Sequence, residues 1–359
     1  MSKYTALFVS DIHLGWKLYN EPELEQDMRE VFRNIIDESV KRKVTYLVIV
    51  GDLFDDNTPS SELIDWTAAQ VRKALVAGVK VIGISGDHDK PTRDVTWGSI
   101  VGVEPVTNHP YFVGRDYSDV PKEITDYIVN YQDKENVEWI LAHGQEPSLF
   151  PFVDEKKKLE FKELPLATLY PKARGIILGD IHNPIEGTYM DKGKTLFIGY
   201  CGSPGVVKSD EIGKKRGLLY FDGYRVERIP FPLPREYVKI DFKGEAADKF
   251  DINLYLGYKD QPKKPVFRVE YNKASEDKTD RLRELYQFGI VKTIKVKADS
   301  EGKEEQINIR TELSTEDRVA FVLRQEVSND EVYKIGLSLL TTPENTAAIL
   351  DELKKEKLG

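Results

Sequence analysis

Apolar and polar positions recur along the chain in two rhythms. Across 21–43, Leu24, Met28, Val31, Phe32, Ile35, Ile36 and Val40 return every three or four residues, the spacing of one helical face. The same period governs 60–77 through Leu63, Ile64, Ala68, Val71 and Leu75, and Gly78 ends it. Around these stand short, mostly apolar runs at 5–10, 44–50, 79–85, 138–142 and 175–178, which predict buried strands. A strand at 111–113 and a helix near 122–132 extend the alternation. Strands alternating with long helices predict right-handed crossovers and a sheet covered on both faces. After residue 182 the texture changes to hairpins at 187–190, 195–200 and 217–221, with Asp222-Gly223 as a turn signal. A second sheet packed on the first is expected.

The run Pro230-Phe231-Pro232-Leu233-Pro234 stiffens the backbone and removes donors, which marks a domain boundary. Beyond it, 266–271, 275–288 and 291–298 predict a small strand–helix–strand unit, followed by a charged loop at 299–306. From Ser314, with Asp317 as its capping-box partner, two or three short helices are expected. Val319, Val322 and Leu323 mark the first, Val332, Ile335, Leu339 and Leu340 the second, and Ala347, Leu350 and Leu353 a third opened by Pro343. Little chain remains to cover these stripes, so they need a partner surface or the main domain. The expected domains are 1–232, 233–310 and 311–359.

Composition narrows the possibilities. At 359 residues the chain suffices for one large domain plus something smaller. The net charge of -9 argues against broad adhesion to nucleic acid but leaves a local basic groove open. The single cysteine, Cys201, excludes an intrachain disulfide and a thiolate zinc site, and fits a reducing cytoplasm. No apolar run approaches the roughly 20 residues of a membrane span. Asp11 and His13 interrupt the N-terminal apolar run, so no export signal is expected.

The candidate chemistry sits where strands end. In open α/β sheets, sites collect beyond the carboxyl ends of strands. Here those positions hold Asp11 and His13, Asp52, Asp87 and His88, His143, then Asp180 and His182. The chain has five histidines, and all but His109 occupy these ends, which makes one shared crevice a better explanation than separate structural roles. Carboxylates and imidazoles without thiolates suit manganese, iron, zinc or magnesium. So many donors exceed what one ion takes from a protein. Two ions sharing a carboxylate would make hydroxide near neutral pH and neutralise phosphoryl oxygens.

The strings Asp11-Ile12-His13, Gly51-Asp52, Gly86-Asp87-His88-Asp89, His143-Gly144 and Gly179-Asp180-Ile181-His182 follow one another in this order. The chain thereby resembles the calcineurin-like metallophosphoesterases, whose motifs are Asp-x-His, Gly-Asp, Gly-Asn-His-Asp, a lone His and Gly-His-x-His. Within them it is most similar to the SbcD/Mre-eleven DNA repair nucleases of bacterial or phage type, including the T-even phage relatives. Supporting segments are Gly51-Asp52-Leu53-Phe54-Asp55, Gly199-Tyr200-Cys201-Gly202-Ser203-Pro204 and the basic turn Gly213-Lys214-Lys215-Arg216-Gly217. The motifs reach only to about Pro234; beyond that the likeness is one of architecture.

The resemblance implies a two-sheet α/β/β/α metallophosphoesterase sandwich, with a small α+β capping domain for DNA recognition and a C-terminal helical partner-binding segment. It implies Asp11, His13 and His182 on a first ion, Asp52 bridging, and Asp87, His143 and Asp180 on a second. His88 would contact the scissile phosphate or protonate the leaving oxygen, with Asp89 orienting it. Loop capping competes for Asp89 and Asp55. Asp87 and Asp180 stand where the family has Asn and His, which makes the second group richer in carboxylate. That predicts a harder-metal preference at the second site, magnesium or manganese over zinc, and activity weaker or more metal-dependent than the family's. Of the two ions expected, manganese is the metal favoured overall, with magnesium possible at the second site.

Lys17, Arg93, Lys208, Lys214, Lys215 and Arg216 are candidate phosphate contacts, with a solvated loop as the plainer reading. Trp16 and Trp97 are expected to pack more than to stack on bases. The implied function is a manganese-dependent DNA exonuclease or endonuclease acting with an SbcC/Rad-fifty-like ATPase through the C-terminal helices. It would work on DNA ends as a homodimer in the cytoplasm of a bacterial cell or a phage-infected host. The alternatives are a metallophosphatase or cyclic-nucleotide phosphodiesterase of the same fold, and a DNA-end scaffold with a weakened site.

Overall fold

The computed structural model describes residues 4–90, 96–106, 109–130, 137–146, 166–169, 173–191 and 194–296. The chain forms two compact units, Met1–Tyr237 and Val238–Gly359. In the first, β1 (Ala6–Val9), β2 (Tyr46–Val50), β3 (Lys80–Ile84) and the short β4 (Glu104–Pro105) run parallel. β10 (Gly217–Phe221) joins the free edge of β1 antiparallel, and β11 (Val226–Pro230) pairs with β10. The sheet order is β11-β10-β1-β2-β3-β4.

The second sheet has the order β5-β6-β7-β9-β8. It is built from β5 (Phe112–Gly114), β6 (Trp139–His143), β7 (Gly175–Gly179), β8 (Ile185–Asp191) and β9 (Lys194–Tyr200). The hairpins therefore divide: β8 and β9 extend this sheet, whereas β10 and β11 return to the first. β5, β6 and β7 also belong here, so the strands carrying candidate residues are shared between two sheets.

Side-chain alternation explains the layers. Ala6 and Phe8 of β1 point into a buried cluster with Val48, Ile82, Phe112, Trp139, Ile177 and Phe221, which is where the two sheets meet. Leu7 and Val9 face the other way, onto Val31, Phe32 and Ile35 of α1 (Pro22–Lys41) and Leu63, Val71 and Ala74 of α2 (Ser61–Val76). On the far side of the second sheet, Ile140, Ile176 and Ile198 pack on Ile124 and Ile128 of α4 (Pro121–Asn130). The result is the α/β/β/α sandwich. α1 opens with Pro22 and acidic Glu23 and Glu25, which suit the positive end of its dipole. α2 opens on Ser60, whose hydroxyl accepts from Leu63 N at 3.3 Å. A short α3 (Trp97–Val101), capped by Thr96, has no counterpart in the periodicity of the sequence. No helix among the described residues is long and apolar enough to cross a membrane.

In the second unit, β13 (Val266–Tyr271) and β14 (Ile290–Lys295) are parallel, and β12 (Tyr237–Asp241) completes a three-stranded sheet in the order β12-β13-β14. Phe267, Val269, Leu282, Leu285 and Phe288 form its core. The helix expected at 275–288 is a 3-10 helix over Lys273–Gln287, opened by a reciprocal Asn272–Ser275 capping box. Its tighter winding is unusual at this length. The end of the strand expected at 291–298, the charged loop, the third expected domain and its helices lie outside the described residues.

Candidate metal centre

Five strand ends from the two sheets converge. β1 runs into Asp11 and His13, β2 into Gly51 and Asp52, and β3 into Gly86–Asp89; from the other sheet come His143 at the end of β6 and Asp180 and His182 after β7. Backbone bonds lace these loops together: Ile12 N and His13 N donate to Asp52 O at 2.8 and 3.0 Å, Gly51 N to Ile84 O at 3.1 Å, and Gly144 N to Gly179 O at 3.4 Å. Asp180 N donates to Asp11 Oδ1 at 2.9 Å, which ties the last loop to the first.

The turn that each strand makes is tight. Asp11, His13 and Asp52 sit at φ of 51°, 51° and 52°, and Asp180 at 88°, in the left-handed region that residues with a Cβ avoid. Such positions cost on the order of 1–3 kcal/mol each and persist where the surroundings over-determine them. Here the strain aims four polar side chains inward. At Gly51 an added Cβ would lie 2.1 Å from His143 Nδ1, and at Gly86 2.0 Å from Asp52 Oδ1. Those glycines are the space that the functional side chains occupy.

The imidazoles show what the site is built for. His13 Nδ1 lies 3.0 Å from Asp55 Oδ1, His182 Nδ1 2.6 Å from Glu211 Oε1, and His143 Nδ1 3.1 Å from Val50 O. Each partner is an acceptor, so each Nδ1 carries the hydrogen, and in the neutral ring each Nε2 is left as a lone pair. Those Nε2 atoms face other acceptors. His13 Nε2 and His182 Nε2 are 3.2 Å apart; His143 Nε2 is 3.1 Å from Asp87 Oδ1 and 3.4 Å from Asp52 Oδ2; and His13 Nε2 is 3.5 Å from the same Asp52 oxygen. Neutral rings would set lone pairs against lone pairs here, so positive charge belongs among them, either as a proton on an imidazole or as a metal cation.

Potential ligand atoms gather as Asp11–His13–His182, Asp11–Asp52–His143, Asp87–His143–Asp180 and His13–Asp52–His88, each set within 4.8 Å. Asp52 lies between the imidazoles of the first and third sets. This donor set fits hard or borderline divalent ions. Burial opposes charge on Asp52, but the His143 and His13 imidazoles outweigh it and hold the carboxyl below its ordinary range. Burial likewise disfavours the His143 cation, yet Asp52, Asp87 and Asp11 raise its pKa well above the usual value. At Asp180 burial, reinforced by Asp11, Asp87 and Asp52, pushes the carboxyl up.

His88 is the site histidine most open to solvent, with 46% of its side chain exposed. Its Nδ1 donates to Asp55 O at 2.7 Å, and its backbone N donates to Asp52 Oδ1 at 3.1 Å. Burial lowers its pKa, but the Asp55 carbonyl and the Asp52, Asp87 and Asp55 carboxylates together raise it.

Two expectations need correction. Asp89 does not orient His88: it is buried, and its carboxylate accepts from Leu53 N at 2.8 Å, Phe54 N at 3.3 Å and Gly86 N at 2.7 Å. It caps loops, and the group beside His88 is Asp55. Arg216 is no exposed phosphate contact. Its side chain is 3% exposed and donates to Ser203 O at 2.9 Å and Glu211 Oε2 at 3.1 Å. Lys17, Lys208, Lys214 and Lys215 are exposed; Lys17 pairs with Glu25 at 3.3 Å and Lys214 with Asp210 at 3.3 Å. Arg93 lies outside the described residues. The indoles of Trp16 and Trp97 donate to Val207 O and Asn57 O at 2.7 and 2.6 Å, so both rings are tied to the backbone. Glu211, which holds His182, has no sequence signal: it sits in an acidic pair beyond the last motif.

The family model of the calcineurin-like phosphoesterases matches residues 4–184. The DNA double-strand break repair protein Mre11 of Sulfurisphaera tokodaii is 25% identical over 348 residues, covering 88% of this chain and 86% of that protein. The protein of the same name from Methanocaldococcus jannaschii is 24% identical over 377 residues, covering 97% and 98%. A solved Thermus thermophilus structure covers 63% of this chain and 98% of its own, with 11% identity and a TM-score of 0.40.

Proposed function

The chain belongs to the calcineurin-like phosphoesterase family, and from that premise we propose that it is a two-metal DNA nuclease of the Mre11 kind. The observation that carries this reading is the set of three imidazoles pinned at Nδ1, whose Nε2 atoms converge on one another and on the carboxylates of Asp52 and Asp87. In it, Asp11, His13 and His182 hold one divalent ion, Asp87, His143 and Asp180 hold the other, and Asp52 serves both. DNA as substrate is supported by the two Mre11 relatives, which align with nearly the whole chain.

When bound, the ions supply a hydroxide near neutral pH and neutralise charge on the phosphoryl oxygens. The protein's own part is positional. Asp52 keeps the two donor sets in register, and Asp55, Glu211 and the Val50 carbonyl fix which imidazole nitrogen points inward. His88, solvent-facing and with its pKa raised, carries a proton on Nε2 for the leaving 3′ or 5′ oxygen, while Asp55 O holds Nδ1. Manganese is the proposed metal, with magnesium accepted by the carboxylate-rich Asp87–His143–Asp180 set.

The proposed domains are a nuclease domain at 1–232, a capping domain at 233–310 and partner-binding helices at 311–359. The proposed partners are DNA ends, a second copy of the chain and an SbcC/Rad50-like ATPase. The test incubates full-length protein with linear and hairpin DNA and manganese, with and without that ATPase. Nucleotide release is expected, falling about 10²–10⁴-fold in His88→Ala. Unchanged release by His88→Ala rejects its role, and no release with manganese or magnesium, with or without ATPase, rejects the reading.

A further inference from the structure

We propose that Glu211, braced by Arg216, is the positioning residue that sets the His182 imidazole for cation binding, and that the segment 203–216 thereby governs occupancy of the Asp11–His13–His182 set. This rests on the two-ion reading above. Glu211 comes from a 3-10 turn, Ser209–Glu211, well beyond the five motifs, and its side chain is 2% exposed. A buried carboxylate is costly unless every lone pair has a donor. Here Oε1 takes the His182 Nδ1 hydrogen at 2.6 Å, and Oε2 takes Val207 N at 3.0 Å and Arg216 Nη2 at 3.1 Å.

Arg216 supplies the balancing charge and is itself held. It donates to Ser203 O at 2.9 Å and to Glu211 O at 3.1 Å. The same segment grips the site elsewhere. Ser203 N donates to His182 O at 2.9 Å, so backbone and ring of His182 are both anchored to it. Val207 O accepts the Trp16 indole at 2.7 Å, while Trp16 N donates to His13 O at 3.0 Å. His13 and His182, whose Nε2 atoms are 3.2 Å apart, are thus referenced to one stretch of chain. Without the Glu211 carboxylate, the His182 ring can turn or move its proton to Nε2, and it then offers a hydrogen where an ion needs a lone pair.

The test is manganese binding to the full-length protein, followed by the electron paramagnetic resonance signal of free Mn2+, with the melting curve of the metal-free protein as a check on folding. Wild type is expected to take up two ions. In Glu211→Gln an amide N–H replaces an acceptor and confronts the Val207 or Arg216 donors, so the affinity for one ion falls about 10- to 100-fold and the other is retained. Glu211→Asp keeps the charge beside Arg216 but falls short of His182; it serves if the glutamine variant does not melt cooperatively, and the same loss is expected. A folded variant that binds both ions as wild type does overturns the role of Glu211 and leaves the two-ion reading intact. A wild type that takes up no manganese overturns that reading, and this inference with it.

Discussion

Asp52 Oδ2 lies between His13 Nε2 at 3.5 Å and His143 Nε2 at 3.4 Å, and its other oxygen receives His88 N at 3.1 Å. One carboxylate therefore organises two imidazoles and the loop of a third. Its position depends on the missing side chain of Gly86, because a Cβ there would overlap Oδ1. Gly86→Ala is expected to displace Asp52 and to lower manganese affinity at least tenfold, as measured by titration with free Mn2+ detection. Asp87→Asn and Asp180→His act on the charge of the second donor set alone. Each is expected to shift preference from magnesium toward zinc in nuclease rates across the metals, and an unchanged order would reject the charge argument.

His109, remote from these loops, gives a prediction that no metal complicates. Burial, helped by Lys80, lowers its pKa to about 4 from an ordinary 6.5. Its Nδ1 accepts from Tyr111 N at 3.2 Å, and its ring meets Tyr46 and Phe112 edges. As pH falls from 6.5 to 4 the unfolded chain takes up this proton before the folded one does, so stability declines through that window. Urea midpoints at pH 7 and pH 4.5 should therefore lie closer together in His109→Gln than in wild type.

At the scale of elements, Asp89 links the loop after β2 to the loop after β3 through three backbone donors. Asp89→Ala leaves those buried N–H groups unpaired and is expected to cost about 1–3 kcal/mol, read from denaturant unfolding. Sequence periodicity located β1, β2, β3, β6 and β7 because each is a short apolar run cut off by an aspartate or, at β6, by His143, and the strand-end rule gathered the residues that follow them. It had no means of assigning those strands to two sheets, since a buried strand reads the same whichever neighbour covers it. It also took Arg216 for a surface cation: a Lys-Lys-Arg run in a turn looks solvated, and only the fold shows the arginine bent inward onto Glu211. For Asp89 the sequence left two readings, orienting His88 or capping loops, and the fold shows the second. Adjacency to His88 in sequence suggested contact, but the loop turns its carboxylate back toward Gly86 N.

For the whole molecule, the site joins one sheet's strand ends to the other's, so ligand binding and folding of the first unit are coupled. Ions bound by the folded chain alone stabilise it by about 2.7 kcal/mol at a hundredfold excess over the dissociation constant. The melting temperature should rise with manganese and fall back on chelation. The overall charge of -9 is no obstacle to a DNA substrate if bound cations and a partner supply the attraction. The most direct test is anomalous diffraction from crystals grown with manganese. Two peaks flanking the Asp52 carboxylate are expected, one against His13 and His182 and one against His143 and Asp87. A single peak, or none, at saturating manganese would contradict the account.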